Sequence, residues 1–239
     1  MIDGCYGPES EMSTPDLFDS WNTYEKVVAN DYMHHRDFFV ALVQEVKARG
    51  LAPLSVADLG CGDCAPILDL LRCFEVHDYL GIDQSESALR RARARLLPVG
   101  LNFDLRQGEI LHELRELTDQ YNLIVCSYSL HHLDVTEKQD VLKECRRCLV
   151  PGGLLAVIDV FLEPGESIGS YLERWTTNAQ SRYAALDAEE IEDLLAHVRS
   201  SDLPETVSTY RRLSAAAGFS RVSRIARDAE RLNQFVLFY

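Results

Sequence analysis

Nowhere does this 239-residue sequence hold the roughly 18 uninterrupted apolar residues that a bilayer-crossing helix needs. A membrane-spanning protein is therefore not expected. The opening stretch, MIDGCYGPESEMSTPDLFDS, lacks both the basic region and the apolar run of an export signal, which predicts a cytoplasmic protein. Basic residues are also scarce: 24 Lys and Arg stand against 38 Asp and Glu, a formal net charge of -14. A surface of that sign repels phosphate backbones and anionic lipid, so neither nucleic acid nor membrane is expected as a partner. The one basic cluster, RRARAR at 90–95, reads as the solvated side of a helix whose other side carries Leu89, Ala92 and Leu96. Internal repeats and low-complexity segments are missing as well. What remains is an ordinary globular composition, 46% hydrophobic and 26% charged, long enough for one large domain or one domain with an added lobe.

The seven cysteines are an odd number, which fits a disulfide framework poorly. Cys61/Cys64 and Cys145/Cys148 each form a C-x-x-C, and two such pairs suggest a four-thiolate zinc site. Periodicity explains the side chains without metal. Cys64, Ile67, Leu68 and Leu71 share one helical face, as do Val141, Cys145, Cys148 and Leu149. No metal site is expected, and Cys61 alone of the four is expected to touch a ligand.

From residue 54 onward, short apolar runs alternate with amphipathic stretches. LSVADL (54–59), DYLGID (78–83), LNFDLRQG (101–108), YNLIVCS (121–127) and LLAVIDVF (154–161) read as strands. Helices fall between them at 65–74, at 85–97 with Ser85 as N-cap, and at 136–149 with Thr136 and Gln139 as a capping box. The last helix is stopped by PGG at 151–153. This alternation implies βαβ units and a mainly parallel sheet. SRVSRIAR and RLNQFVLFY, near the C-terminus, lie too close together for a crossover helix and predict an antiparallel hairpin. Residues 16–50 read as helical.

The loop after the first strand, LGCGDCA, holds Gly60, Gly62 and Ala65 in a G-x-G-x-x-A spacing. Such a loop lets a nucleotide approach the backbone, and an open α/β sheet binds ligands at that switch point. The spacing alone fits NAD. Asp58, two residues before Gly60, argues for a positively charged ligand, because it would repel a pyrophosphate. Asp83 ends the second strand, where a carboxylate accepts both hydroxyls of a ribose. A strand-end position also predicts that folding survives its removal. Glu109 can accept from an adenine amino group, and Gly108 leaves room for the ring.

The ordered motifs VADLGCGDC, LGIDQS, RQGE, YNLIVCSYSLHHL and LVPGGLLAVID, closed by a reversed strand, resemble the class I S-adenosylmethionine-dependent methyltransferases. The likeness is greatest to the small-molecule, ubiquinone C-methyltransferase-like type. It implies an α/β, Rossmann-like seven-stranded sheet of order 3-2-1-4-5-7-6 with strand seven antiparallel. It also implies an N-terminal helical lid at 1–50 on a methyltransferase domain at 51–239, with a helical insertion at about 162–205. The cofactor would be S-adenosyl-L-methionine, leaving as S-adenosyl-L-homocysteine, and the partner a small-molecule methyl acceptor. Asp58, Gly60, Cys61 and Gly62 would border the methionine portion. Asp83 would hold the ribose, with Gln84 packed on the adenine beside Gly108, Glu109 and Ile110. Cys126, Ser127 and Ser129 would lie along the cofactor, and His131 and His132 near the reacting atoms, either as a base or satisfied by backbone.

From the lid, Tyr24 and Tyr32 would close over the sulfonium, and Arg36 would pair with a carboxylate. His34 and His35 are further candidates for acceptor contact, as are Tyr171, Trp175 and Tyr183 of the insertion. Two alternatives stay open: a protein that binds this cofactor or uses it for non-methyl chemistry, and an NAD-dependent oxidoreductase. The acceptor and the oligomeric state are not legible.

Overall fold

The computed structural model describes residues 21–239; the part of the expected lid at 1–20 lies outside them. Two helices, α1 (Trp21–Ala29) and α2 (His35–Arg49), precede the first strand. The sequence predicts one continuous helix here. Asp31 and His34 both take positive φ, which breaks the helical path and turns α2 away from α1.

The remaining elements alternate as expected: β1 (Leu54–Leu59), α3 (Leu68–Cys73), β2 (Val76–Asp83), α4 (Glu86–Leu96), β3 (Phe103–Gln107), α5 (Ile110–Glu116), β4 (Tyr121–Ser127), α6 (Val135–Cys148) and β5 (Leu149–Leu162). Then come α7 (Ile168–Arg182), α8 (Ala188–Ser201), the two-residue β6 (Glu205–Thr206), α9 (Val207–Ala216), β7 (Val222–Arg227) and β8 (Asn233–Phe238). The main sheet runs β3-β2-β1-β4-β5-β8-β7, and β8 is antiparallel to both of its neighbours. This is the expected order, with the last two strand numbers raised by the short β6, which pairs only with the end of β5.

Period-2 alternation along the strands divides the core. Leu54, Val56, Leu123, Val125, Ala156 and Ile158 face one cluster, covered by α2, α3 and α4. Ala57, Leu59, Ile124, Cys126, Leu155 and Val157 face a second, covered by α5, α6 and α9. A third, smaller cluster joins Val27 of α1 to Tyr171, Trp175 and Ala179 of α7, Leu195 and Val198 of α8, and Leu232. The expected insertion and the N-terminal helix thus share one apolar nucleus. Lys26 of α1 fastens it with a 2.5 Å ion pair to Glu190 of α8.

Three local expectations need correction. The cap of α6 is Asp134 boxed with Glu137, one turn boundary earlier than Thr136 and Gln139; aspartate accepts from both Thr136 N and Glu137 N. The PGG stretch does not stop at a turn but lies inside β5, with Gly152 at φ +82°. Cys64 precedes α3, at φ +60°, so its burial comes from the loop rather than from a helical face.

Candidate functional site

A cavity of about 720 Å³ opens at the carboxyl ends of β1, β2, β3 and β4 and runs beneath α1, α7 and α8. One half is built by the loops after β1, β2 and β3. Gly60 (φ +68°) and Gly62 (φ +53°) carry the chain across the end of β1, where a Cβ on Gly60 would meet Ser129 Oγ at 1.9 Å. Asp83 closes β2. Its Oδ2 accepts Gly62 N at 2.8 Å and its Oδ1 accepts Ser85 N at 2.8 Å, which ties the first two loops together.

Asp58 is 4% exposed and accepts the Tyr79 hydroxyl at 2.8 Å. Burial pushes its carboxyl up to about 7; the Tyr79 bond opposes this and the nearby Asp83 charge adds to it. Tyr24 of α1 covers the loop, its hydroxyl 3.5 Å from where a Gly62 Cβ would stand. Burial, together with Asp63 and Asp83, drives the Tyr24 hydroxyl well above the usual phenol range. Cys61, Gln84, Gly108, Glu109 and Ile110 complete this half.

The other half is walled by His35, Tyr128, Trp175, Tyr183 and a group of imidazoles. His131 donates its backbone N–H to Asp159 Oδ2 at 3.1 Å and places Nδ1 2.5 Å from Oδ1 of the same, fully buried carboxylate. Burial opposes a charge on His131, but Asp159 and Asp202 outweigh it and push the imidazole up to about 9. Burial and the charge on His131 pull His132 down to about 3. The segment after α8 is pinned beside them: Leu203 N donates to His131 O at 2.6 Å, and Lys138 Nζ donates to Leu203 O at 2.8 Å.

Most of the residues expected from the sequence line this cavity, Ser127, Ser129, His131 and His132 among them. Three do not. Arg36 is exposed and donates to Ala29 O at 3.2 Å, because the break before α2 rotates it outward. Tyr32 stacks on Tyr183, centroids 4.3 Å apart and rings 6° from parallel, and its hydroxyl accepts Ala185 N. Cys126 is fully buried in the second cluster, since alternation along β4 gives the cleft face to Ser127.

The two C-x-x-C pairs lie on opposite faces of the sheet and do not form one four-thiolate site. Asp159 and Asp202 were missed. The first looks like one residue of a buried strand; the second lies 70 positions from His132, and no short-range pattern signals it.

S-adenosylmethionine fits what is present. Among the described residues lining the cavity there are Asp58, Asp83, Glu109, Glu137 and Asp202 but no lysine or arginine. That favours a cationic ligand and opposes a pyrophosphate. Ser127 Oγ and His35 Nδ1, both on the cavity, are buried without a hydrogen-bond partner in the structure.

Residues 56–153 match a family profile described as a methyltransferase domain. That segment is similar to methyltransferase domains and spans less than half of the chain. The ubiquinone biosynthesis O-methyltransferase of Pseudomonas aeruginosa (strain UCBPP-PA14) is 33% identical over 104 residues, 44% of this chain and 43% of that relative. The match therefore spans less than half of the relative's length. The carboxy-S-adenosyl-L-methionine synthase of Wolinella succinogenes is 25% identical over 229 residues, 91% of this chain and 93% of its own. Among solved structures, the magnesium protoporphyrin IX methyltransferase of Synechocystis with bound S-adenosylhomocysteine superposes with a TM-score of 0.62 at 15% identity, covering 93% of each chain. It shares the methyltransferase fold. The family profile covers the loops after β1, β2 and β3 and also Tyr128, His131 and His132, while α1, α7, α8 and Asp202 lie outside it.

Proposed function

We propose that the protein transfers a methyl group from S-adenosylmethionine to an uncharged or cationic small-molecule acceptor. The observation that carries this reading is the acidic cavity without lysine or arginine among its described lining residues, large enough for two ligands side by side. The cofactor supplies an already activated methyl group, so the chain's own work is binding, alignment and exclusion of water. Asp83 holds the ribose hydroxyls and Asp58 faces the ammonium of the methionine portion. Glu109 and Ile110 border the adenine. Tyr24 and α1 cover the donor, held down through Lys26 and Glu190 as a lid. His35, Tyr128, Trp175 and Tyr183 wall the acceptor.

Incubating the full chain with S-adenosylmethionine and a metabolite library is expected to release S-adenosylhomocysteine with a product heavier by one CH₂. Calorimetry is expected to show micromolar S-adenosylhomocysteine binding and none for NAD. The reverse pattern would end the assignment.

A second reading, non-methyl use of the same cofactor, is favoured by the near full-length likeness to the carboxy-S-adenosyl-L-methionine synthase. A cofactor carrying an added carboxylate has no lysine or arginine to meet it among the described cavity residues, so we place methyl transfer first. A carboxylated cofactor in the reaction mixture would reverse that order.

Asp58 makes cofactor affinity pH-dependent. Its carboxyl, raised to about 7 in the free protein, is protonated below that pH and ionised above it. The ionised form attracts the ammonium, so affinity is expected to fall by up to about tenfold per pH unit below 7. The folded free chain also keeps a proton that the unfolded chain loses near 3.8, so this group's effect on stability worsens as pH rises from there to about 7. S-adenosylhomocysteine titrations from acid to neutral pH check this, with Asp58→Asn expected to flatten the profile. A flat profile for the unaltered protein would remove Asp58 from the ammonium site.

A further inference from the structure

Three side chains meet at the acceptor end of the cavity from parts of the chain that no motif connects. His131 and His132 follow β4, and Asp202 follows α8. His131 Nε2 lies 3.7 Å and His132 Nδ1 3.9 Å from the same oxygen, Asp202 Oδ1, and the three ligand atoms lie within 4.8 Å of one another. His131 and Asp202 are each aimed by a partner on the far side. Asp159 takes His131 Nδ1 at 2.5 Å, which leaves Nε2 toward the cavity. The Tyr171 hydroxyl donates to Asp202 Oδ2 at 3.2 Å, which leaves Oδ1 toward the imidazoles. Asp202 is 5% exposed at its side chain, and Lys138 and His131 O pin the segment that carries it.

An imidazole oriented by a buried carboxylate is the usual second shell of a metal ligand. Ligand atoms around a four-coordinate zinc-class ion lie roughly 3.4 Å apart, so small side-chain rotations close this set. The ion would replace the 3.3 Å contact of His132 Nδ1 with Ser201 O.

We propose that His131, His132 and Asp202 bind a divalent transition-metal ion of the zinc class, with its open position toward the acceptor. Two imidazoles and one carboxylate suit zinc, cobalt or iron(II) better than magnesium or calcium. An acceptor hydroxyl at the open position would lose its proton to water near neutral pH. Its oxygen then bonds the methyl carbon while the carbon–sulfur electron pair stays on sulfur. This deepens the methyl-transfer reading, but binding of the ion does not depend on it.

The test uses the full chain, freed of metal by chelator and titrated with cobalt(II) chloride. One ion per chain is expected, with visible bands of nitrogen and oxygen ligation and no intense near-ultraviolet thiolate band. That separates the site from the cysteines. His132→Ala and Asp202→Asn are each expected to weaken binding by about a hundredfold. Circular dichroism confirms folding, and His131→Gln serves if Asp202→Asn does not fold. No cobalt binding by the unaltered chain, a thiolate spectrum, or affinity unchanged in the variants would overturn the proposal. Failure of the unaltered chain to bind cobalt while it still binds S-adenosylhomocysteine would count against the ion alone, since Gly60, Gly62 and Asp83 lie in the other half of the cavity.

Discussion

Gly60→Ala is expected to destabilise the protein by about 2–5 kcal/mol and to abolish cofactor binding. Two costs add. The left-handed conformation at φ +68° costs an L-residue roughly 1–2 kcal/mol. The new methyl would also stand 2.7 Å from Ser129 Cβ and 1.9 Å from its Oγ. Rotating the serine hydroxyl away relieves only the second distance, so the loop after β4 must move by a fraction of an ångström or more. That movement shifts both loops that flank the cofactor half. Adding Ser129→Gly should recover the packing share of the loss but not the backbone share. Denaturant unfolding gives the stability and calorimetry with S-adenosylhomocysteine the affinity. Wild-type affinity in Gly60→Ala would mean that this loop does not touch the cofactor.

Asp83→Ala is expected to weaken S-adenosylhomocysteine binding by about tenfold to a hundredfold, the worth of a charged hydrogen bond of roughly 1.5–3 kcal/mol. It should also lower stability. A strand-end acid facing a cleft predicts little effect on folding. The structure corrects this: the carboxylate is 7% exposed and accepts Gly62 N and Ser85 N, both at 2.8 Å. Truncation leaves both amides without their acceptor, at about 1–3 kcal/mol for each that water does not reach. Asp83→Asn offers no escape, since its amide nitrogen faces one of the two donors. Unfolding curves with and without saturating ligand separate the two effects. Unchanged affinity in a folded Asp83→Ala would take Asp83 out of the ribose site.

The sheet was legible because its signals are local. LSVADL and YNLIVCS are short, largely apolar runs, and β1 and β4 begin and end with them. Ser85 caps α4 as the sequence predicts, accepting from Ala88 N. The glycine loop and the acids beside it were legible too, because the cofactor half is built from strand ends met in order along the chain. Arg36 was misread because helical spacing says nothing of a break at Asp31 and His34. Cys126 was misread by one position, which on a strand reverses the face. The imidazole cluster is non-local: Asp159 reaches His131 across β5, and Asp202 arrives after two further helices. Burial of Asp159 is a property of the assembled sheet, and no window of sequence contains it.

The third apolar cluster holds α1, α7 and α8 together and touches the sheet mainly at Val160 and near Leu232. On the proposed reading, the donor loops rest on the sheet and most of the acceptor wall rests on this cluster, with α1 shared by both through Tyr24 and Val27. The glycine loop and Asp83 answer to the sheet, whereas Trp175, Tyr183 and Asp202 answer to a nucleus that can be repacked without disturbing β1 or β4. On that reading, substitutions that reshape this nucleus while sparing Tyr24 are expected to change the choice of acceptor more than the affinity for the donor, which acceptor screening beside S-adenosylhomocysteine calorimetry would check.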